Sequence, residues 1–209
     1  MTRYQLRLIE DRLEPGRAWA LPAAPRALYL REGEAAIAGG TVAANSVGFT
    51  ETACQVRAVA SAVIWRFELA PLRDEIAELG TSRTKLSAEI ELDPQRGHLF
   101  RCDRVDFPVG SETPKHTHMG PGIRCILHGE IRSDIGDVKG VHRAGDAWFE
   151  RGPDPVVGAA EAATAFVRVM ILPRELLGES SFRAVDETEA QKPRLMRYTL
   201  FVDQRIELP

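Results

Sequence analysis

Hydrophobic and polar residues alternate in short stretches along most of the chain. Tyr4–Ile9 (YQLRLI) and Thr84–Leu92 (TKLSAEIEL) follow the period of two that is typical of a strand with one buried face. Ala62–Leu69 (AVIWRFEL) and Thr164–Leu172 (TAFVRVMIL) are nearly continuous apolar runs, rich in β-branched and aromatic residues, as in strands buried on both faces. Glycine and proline turns separate such stretches at intervals of roughly 8–12 residues, which predicts an all-β sandwich or barrel.

Few segments favour a helix. Leu72–Leu79 (LRDEIAEL) has helical spacing between a proline and a glycine, and Arg174–Leu177 is predicted to form a short helical turn. Ser180–Pro193 is polar and is predicted to be a loop; a lid, a partner-binding arm and a plain linker all stay open for it. A last strand is expected over Arg194–Val202.

The strand pattern occurs twice in the same order. ALYLREGEAAI around Gly33 matches RCILHGEIRSD around Gly129, with a Gly-Glu pair at the same place in each. Further along, VIWRFELAPLRDE in the first cycle matches FVRVMILPRE in the second: each is a strand of buried type, then a proline, then the first residues of a predicted short helix. Ordered similarity of this kind predicts a duplicated unit. We expect one barrel over residues 1–80, a second over residues 81–178, and a C-terminal loop and strand over residues 179–209.

The composition is that of an ordinary globular protein. Of the 209 residues, 44% are hydrophobic and 27% charged, and the net charge of −3 offers no basic surface to nucleic acid. No apolar run approaches the roughly 18 residues of a membrane span, and the N-terminus mixes charges into its apolar residues, unlike a signal peptide. We therefore expect a cytoplasmic protein without nucleic-acid or membrane partners. Cys54, Cys102 and Cys125 show no disulfide or metal spacing and are predicted to be free thiols. The excess of arginine over lysine favours a GC-rich bacterial source.

The candidate chemistry lies in Gly110–Gly129 (GSETPKHTHMGPGIRCILHG), which holds His116 and His118 one residue apart. On a strand, residues at positions i and i+2 point to the same side, so the two imidazoles converge. Two convergent imidazoles begin a site for a divalent transition metal such as Fe, Mn, Ni, Zn or Cu. A His-x-His pair on a strand is also a common surface feature, and that alternative stays open.

This stretch resembles the first motif of the cupin superfamily, G-x5-H-x-H-x3-E-x6-G, through Gly110, His116, His118 and Gly129. Residues 145–155 (GDAWFERGPDP) resemble the second motif, whose core is G-x5-P-x-G-x2-H. The resemblance covers the second cycle well, and the shared strand order extends it to the first. It implies two tandem cupin-type double-stranded β-helix (jelly-roll) barrels with few short helices, a bicupin, and a metal inside a barrel mouth.

Two of the four metal ligands that the resemblance implies are replaced. Gly122 stands at the glutamate position and Val156 at the second-motif histidine position. Glu150 ends the strand before the second-motif loop and is our candidate third ligand, with a solvated strand-end charge as the alternative. Arg124 shares strand parity with position 122 and is a candidate clamp for a substrate carboxylate or enolate, with a rim salt bridge as the alternative. Trp148 is a candidate floor of the substrate pocket, with ordinary core packing as the alternative.

The remaining polar candidates receive plainer interpretations. Glu112 is a possible partner that orients a metal-bound imidazole, with a loop carboxylate as the alternative. His98, His128 and His142 lie beside turns or strand ends and are expected to be exposed or capping residues. The first cycle contains no histidine, so we expect its barrel to be structural.

The site supports two hypotheses about function. In the first, a metal on His116 and His118, helped by Glu150, makes the chain a metal-dependent enzyme of the cupin type, such as a dioxygenase or isomerase acting on a small anionic or aromatic molecule. In the second, the barrel is a non-catalytic binding or sensing module for a small molecule, which the two replaced ligands favour. A third, plainer option is a structural dimerisation barrel, because the resemblance implies a homodimer paired through sheet edges, for which the strand Arg194–Val202 is a candidate.

Overall fold

The computed structural model describes all 209 residues, and almost all of its regular structure is β. The chain divides into two compact units, residues 1–97 with 206–209 and residues 98–205. The strands of the first unit are β1 (Thr2–Leu13), β2 (Ala18–Leu21), β3 (Arg26–Glu32), β4 (Glu34–Ile37), β5 (Gly40–Ala43), β6 (Val47–Thr50), β7 (Cys54–Ala58), β8 (Ala62–Pro71) and β9 (Thr81–Leu92).

The second unit has the same kind of content. Its strands are β10 (His98–Phe107), β11 (Ser111–Glu112), β12 (His116–His118), β13 (Gly122–His128), β14 (Glu130–Ile135), β15 (Val138–Arg143), β16 (Ala147–Glu150), β17 (Val156–Ala160), β18 (Thr164–Pro173), β19 (Phe182–Ala184) and β20 (Arg197–Ile206). A 3-10 turn covers Arg174–Leu176 and the four-residue helix α1 covers Glu187–Ala190. Neither helical segment has the length or apolar character needed to cross a membrane.

Two antiparallel sheets form each unit. The strand orders are β6-β3-β8-β1-β9 and β2-β7-β4-β5 in the first unit, and β16-β13-β18-β10-β20 and β15-β14-β17-β12-β19 in the second. Apolar side chains from both sheets meet between them, for example Leu28 and Ile64 with Val56 in the first unit. The central strands β8 and β18 are buried along nearly their whole length, which is why their sequences are continuous apolar runs.

The duplicated unit predicted from the sequence is confirmed by this matching strand order. Gly33 joins β3 to β4 and Gly129 joins β13 to β14, and both have a φ of 80°, a conformation that favours glycine. A Cβ atom at Gly129 would collide with the Thr164 hydroxyl and the Ala163 carbonyl, so the turn also needs the small residue.

The predicted helix over 72–79 is wrong. No regular structure forms between β8 and β9. Buried arginines of the first unit bind two backbone carbonyls of this segment, and a helix over 72–79 would use one of them, that of Asp74, internally. Arg7 donates to the Asp74 carbonyl and Arg66 to the Ala77 carbonyl, each at 2.8 Å. The tertiary structure thus overrides a local helical preference.

The unit boundaries also differ from those predicted. The first unit runs to residue 97 rather than 80, because β9 pairs with β1 from Thr2–Leu92 to Arg12–Thr81. Residues 179–205 belong to the second unit rather than to a separate tail, because β19 pairs with β12 and β20 with β10. The stretch predicted as a loop, Ser180–Pro193, therefore contains a strand and a helical turn.

The first unit buries a network of ion pairs beside its core. Arg66 donates two hydrogen bonds to Asp11, at 2.8 and 3.2 Å, and one to Glu68 at 3.0 Å. Arg7 lies 2.7 Å from the same Glu68 carboxylate. Strand β2, which corresponds to the histidine strand β12 in sheet order, carries no histidine. This unit thus buries paired charges and contains no imidazole.

Candidate ligand-binding site

His116 and His118 lie on β12, between strands β17 and β19 of the second unit. Val156 is directly opposite His116 on β17, and Phe182 is directly opposite His118 on β19. The alternation of the strand points both rings inward, where they are only 6% and 5% exposed, so the surface alternative is wrong. Their Nε2 atoms face each other at 3.3 Å.

Each imidazole is held through its other nitrogen. His116 Nδ1 lies 2.8 Å from the Pro114 carbonyl and must donate to it, because a carbonyl oxygen only accepts. His116 Nε2 is then the acceptor of the neutral ring, His118 Nε2 donates to it, and His118 Nδ1 accepts from the Ser181 hydroxyl at 3.3 Å. Burial lowers the pKa of His116 to about 4 and the pKa of His118 well below its ordinary value, so both rings are neutral near pH 7.

Arg124 and Glu150 occupy the region of the missing glutamate. Gly122 lies directly opposite Glu150, so the neighbouring strand β16 supplies a carboxylate at this level of the barrel. The Arg124 side chain folds back over Gly122, and its Nη1 donates to the Gly122 carbonyl at 2.7 Å. Its Nη2 lies 2.6 Å from Glu150 Oε2, an ion pair without hydrogen-bond alignment. A Cβ at position 122 would collide with the Val169 carbonyl oxygen and with Met170, and would lie 3.0 Å from Arg124 Nη1, so this crowded position needs glycine.

The second oxygen of Glu150 is also engaged. Trp148 Nε1 donates to Glu150 Oε1 at 2.9 Å, and Glu150 is only 7% exposed, so the solvated alternative for it is wrong. The Trp148 indole stacks on His142 at 4.5 Å and meets Phe166 edge-on at 5.3 Å. Trp148 thus belongs to the apolar core, and its predicted role beneath a substrate stays a prediction, as does the clamp role of Arg124.

The histidine pair has the spacing of two metal ligands. Two nitrogens bound to one tetrahedral zinc ion at about 2.0–2.1 Å lie about 3.3–3.4 Å apart, close to the Nε2–Nε2 distance here. Glu150 Oε2 is 3.8 Å from His118 Nε2, but Arg124 and Trp148 hold the carboxylate. No group of three or more His, Cys, Asp or Glu side chains is placed to hold a metal ion. The residues therefore do not fit a centre with three protein donors, because the third donor is bound elsewhere.

A second buried arginine lies beside the first. Arg168 on β18 is directly opposite Arg124, and Asp103 on β10 is directly opposite Arg168. Residues opposite each other on neighbouring strands share a face of the sheet, so these charges form one row inside the barrel. Arg168 donates to both oxygens of Asp103, at 2.7 and 3.0 Å. Arg124 and Arg168 are thus each paired with a carboxylate. Burial is the main cause of the lowered pKa of His118, and the positive charges of Arg168 and Arg124 lower that pKa further.

Two cavities meet at this row. The inner cavity, of about 40 Å³, is bordered by His116, Arg124 and Glu150 among others, and has room for an ion or a water molecule. The outer cavity, of about 330 Å³, is large enough for a small organic molecule. His118, Arg168 and Tyr198 line both cavities. A ligand in the outer cavity would therefore touch the same residues that enclose the inner one.

The C-terminal segment closes the site. Phe182 on β19 stacks on His116, with ring centroids 4.2 Å apart and an interplanar angle of 14°. The Arg194 guanidinium lies over the Phe182 ring, 3.7 Å from its centroid. Two groups this close to one ring centroid cannot share a face, so imidazole, phenyl and guanidinium form one stack.

The other polar candidates lie apart from the histidine pair. Glu112 is exposed and lies 3.5 Å from Arg132, so the Pro114 carbonyl and Ser181 orient the imidazoles instead. His128 is exposed as predicted, whereas His98 is buried and His142 is half-buried against Trp148.

Sequence reasoning misses several residues of the site. They are Asp103, Arg168, Ser181, Phe182, Arg194 and Tyr198. A signal existed only for Arg168, the one charged residue inside the apolar strand β18, where a buried charge needs a partner. Apart from Asp103, the others lie in the C-terminal segment, where no local pattern relates them to β12.

The two double-sheet barrels define the fold as that of a bicupin, as the sequence resemblance implies. The structure is similar to that of salicylate 1,2-dioxygenase from Pseudaminobacter salicylatoxidans, with 11% sequence identity, coverage of 93% of this chain and 75% of that chain, and a TM-score of 0.55. A mutant of that dioxygenase in complex with gentisate matches at 11% identity over 93% and 73% of the chains, with a TM-score of 0.56. AerE from Microcystis aeruginosa matches at 13% identity over 77% and 85% of the chains, with a TM-score of 0.55.

At these identities the similarity establishes the fold alone. No protein-family model matches the sequence, and no curated protein matches it either. The function therefore has to be argued from the site.

Proposed function

We propose that the second barrel binds a small anionic or aromatic molecule in the outer cavity, and that this binding is the function of the chain. The observation that carries the proposal is the cavity of about 330 Å³, which opens beside His118 and the Arg168–Asp103 ion pair of the second barrel. A similar barrel protein is described in complex with gentisate, a small aromatic acid, which supports a ligand of this size.

The experiment is calorimetric titration of the tag-free protein with benzoate, salicylate and gentisate, and with the three corresponding amides. Binding of at least one compound with one site per chain is expected. The matched variant is Ser181→Trp, which places a large side chain on the outer cavity and should abolish that binding. Failure of all six compounds to bind, with the protein folded, would remove the proposal.

A metal-dependent, dioxygenase-like activity is the second candidate. The observation that favours it is the 3.3 Å separation of the two Nε2 atoms, with His116 Nδ1 donating to a carbonyl as the second nitrogen of a metal-bound imidazole does. Such an enzyme would need Glu150 or water as a further donor to a divalent transition metal. Elemental analysis of the tag-free protein, grown with each candidate metal, separates the two functions. One metal per chain, lost in His116→Ala, would favour the enzyme, and sub-stoichiometric metal would favour the binding module.

A further inference from the structure

The outer cavity presents a surplus of hydrogen-bond donors. Two of its arginines are fixed by bidentate ion pairs, Arg101 to Asp203 and Arg168 to Asp103. Arg168 uses Nε and Nη2 for its pair, so its Nη1 makes no hydrogen bond. Tyr198 lies beside it, with the Arg168 guanidinium carbon 5.7 Å from the ring centroid, and its phenol group also makes no hydrogen bond.

Arg194 adds a free cation to the same cavity. It forms no ion pair and no hydrogen bond; it stacks on Phe182 and interacts electrostatically with Tyr198, which lines the same cavity. A guanidinium that lies over a ring without hydrogen bonds keeps its N–H groups free to donate, in the fork geometry that fits a carboxylate. The stack also restricts the side chain, which lowers the entropy lost when a ligand binds.

The opposing charge at the cavity is Glu179. Its side chain is exposed and has no partner, while its backbone carbonyl accepts from Arg101 at 2.7 Å. Glu179 and Arg194 are therefore the two unpaired charges among the lining residues. Of these two, only Arg194 is fixed in place, by its stack on Phe182. The uncharged phenol group of Tyr198 adds a further hydrogen-bond donor to the cavity.

We propose that the ligand of the second barrel carries a carboxylate, and that Arg194 holds this carboxylate, with the free donors of Arg168 and Tyr198 beside it. This inference rests on the proposed function and assigns the anchor to Arg194, whereas the sequence indicated Arg124. Arg124 is 1% exposed and engaged by Gly122 and Glu150, and it does not line the outer cavity.

The test compares acid and amide probes in the wild type and in Arg194→Gln. Each acid, benzoate, salicylate or gentisate, is expected to bind wild type at least about tenfold more tightly than its amide, because a charge-assisted pair replaces neutral hydrogen bonds. Arg194→Gln should weaken acid binding by about tenfold or more and leave amide binding unchanged. Arg194→Lys should recover part of the loss, since it keeps the charge without the fork.

Two controls make the result specific. Arg197→Gln removes an exposed arginine of β20 that does not line either cavity, and should leave all affinities unchanged. Glu179→Gln should leave acid binding unchanged or tighten it. Equal binding of acids and amides, or an unchanged acid affinity in Arg194→Gln, would overturn the carboxylate inference while the proposed function stands. If none of the six probes binds wild type, the proposed function itself is wrong.

Discussion

Nη2 of Arg124 lies 2.6 Å from Oε2 of Glu150, so the predicted substrate clamp and the predicted third metal ligand hold each other. Both residues are buried, and burial lowers the pKa of Arg124 to about 10, which still leaves the guanidinium charged near pH 7. A buried charge of this kind needs its partner. While this contact is formed, Glu150 is held away from metal binding and Arg124 is held away from a substrate anion.

Loss of the Glu150 carboxylate should destabilise the protein. In Glu150→Ala the Arg124 charge stays buried without its partner, and we expect the free energy of unfolding to fall by about 3–5 kcal/mol. Urea denaturation followed by circular dichroism measures the change. The double variant Arg124→Met/Glu150→Leu removes both charges and should recover most of the loss. A Glu150→Ala variant as stable as wild type would show that the pair contributes little.

Removal of Arg124 should create metal affinity. In Arg124→Met the Glu150 carboxylate is released from its cation and lies within reach of His116 and His118, which gives three donors. We expect Co²⁺ affinity to rise by about tenfold or more over wild type, with the visible absorption of a low-coordinate cobalt site. Arg124→Met/Glu150→Gln is the control and should lose the gain. An affinity that is equal in wild type and Arg124→Met would mean that Arg124 does not withhold Glu150.

The repeat turns should not tolerate alanine. Gly129→Ala places a Cβ against Thr164 and Ala163 at a φ of 80°, so steric overlap adds to backbone strain. Gly136→Ala is a matched control in the same unit, because its φ is 56° and nothing lies near the added Cβ. We expect a loss of about 1 kcal/mol for the control and a clearly larger loss for Gly129→Ala, measured by urea denaturation. Equal losses would contradict the steric argument.

Stability should fall in mild acid because of His116. Its folded pKa is about 4 and its ordinary value is 6.5, so the unfolded chain binds more protons between these values. The contribution of His116 is fully present above about pH 6.5 and is lost as the pH falls toward 4, and it amounts to about 3 kcal/mol. Urea denaturation of chelator-treated protein from pH 7 to pH 4 measures this slope. His116→Gln should remove its share of this slope and leave the share of His118, whose pKa is also lowered by burial, whereas His128→Gln, at an exposed site, should leave the slope unchanged.

The C-terminal strand should depend on Phe182. Phe182 is buried between His116 and Arg194, and Phe182→Ala is expected to lower the free energy of unfolding by about 3 kcal/mol. Leu195→Ala, at a half-exposed neighbour, should have little effect. Hydrogen exchange of the β19 amides would show whether the strand detaches in Phe182→Ala. Unchanged protection there would argue against this stack as the anchor of the segment.

Much of the fold was accessible from the sequence alone. The period of two predicted the strands, and the matching turns at Gly33 and Gly129 predicted the duplication. Both signals are readable because side-chain alternation and a left-handed glycine are local properties of the backbone. The His116–His118 pair was recognisable for the same reason, since two residues at i and i+2 on a strand must share a face.

Only the tertiary structure decided what surrounds that pair. The ion pair of Arg124 with Glu150 depends on the register between β13 and β16, and the cover by Phe182 and Arg194 depends on β19 returning to β12. The helix predicted over 72–79 was wrong for the same kind of reason. Arginines of β1 and β8 bind carbonyls of that segment, and the local sequence does not show these contacts. Local pattern fixes which way a side chain points, but long-range strand pairing fixes which charge it meets, and in a buried site that charge decides the chemistry.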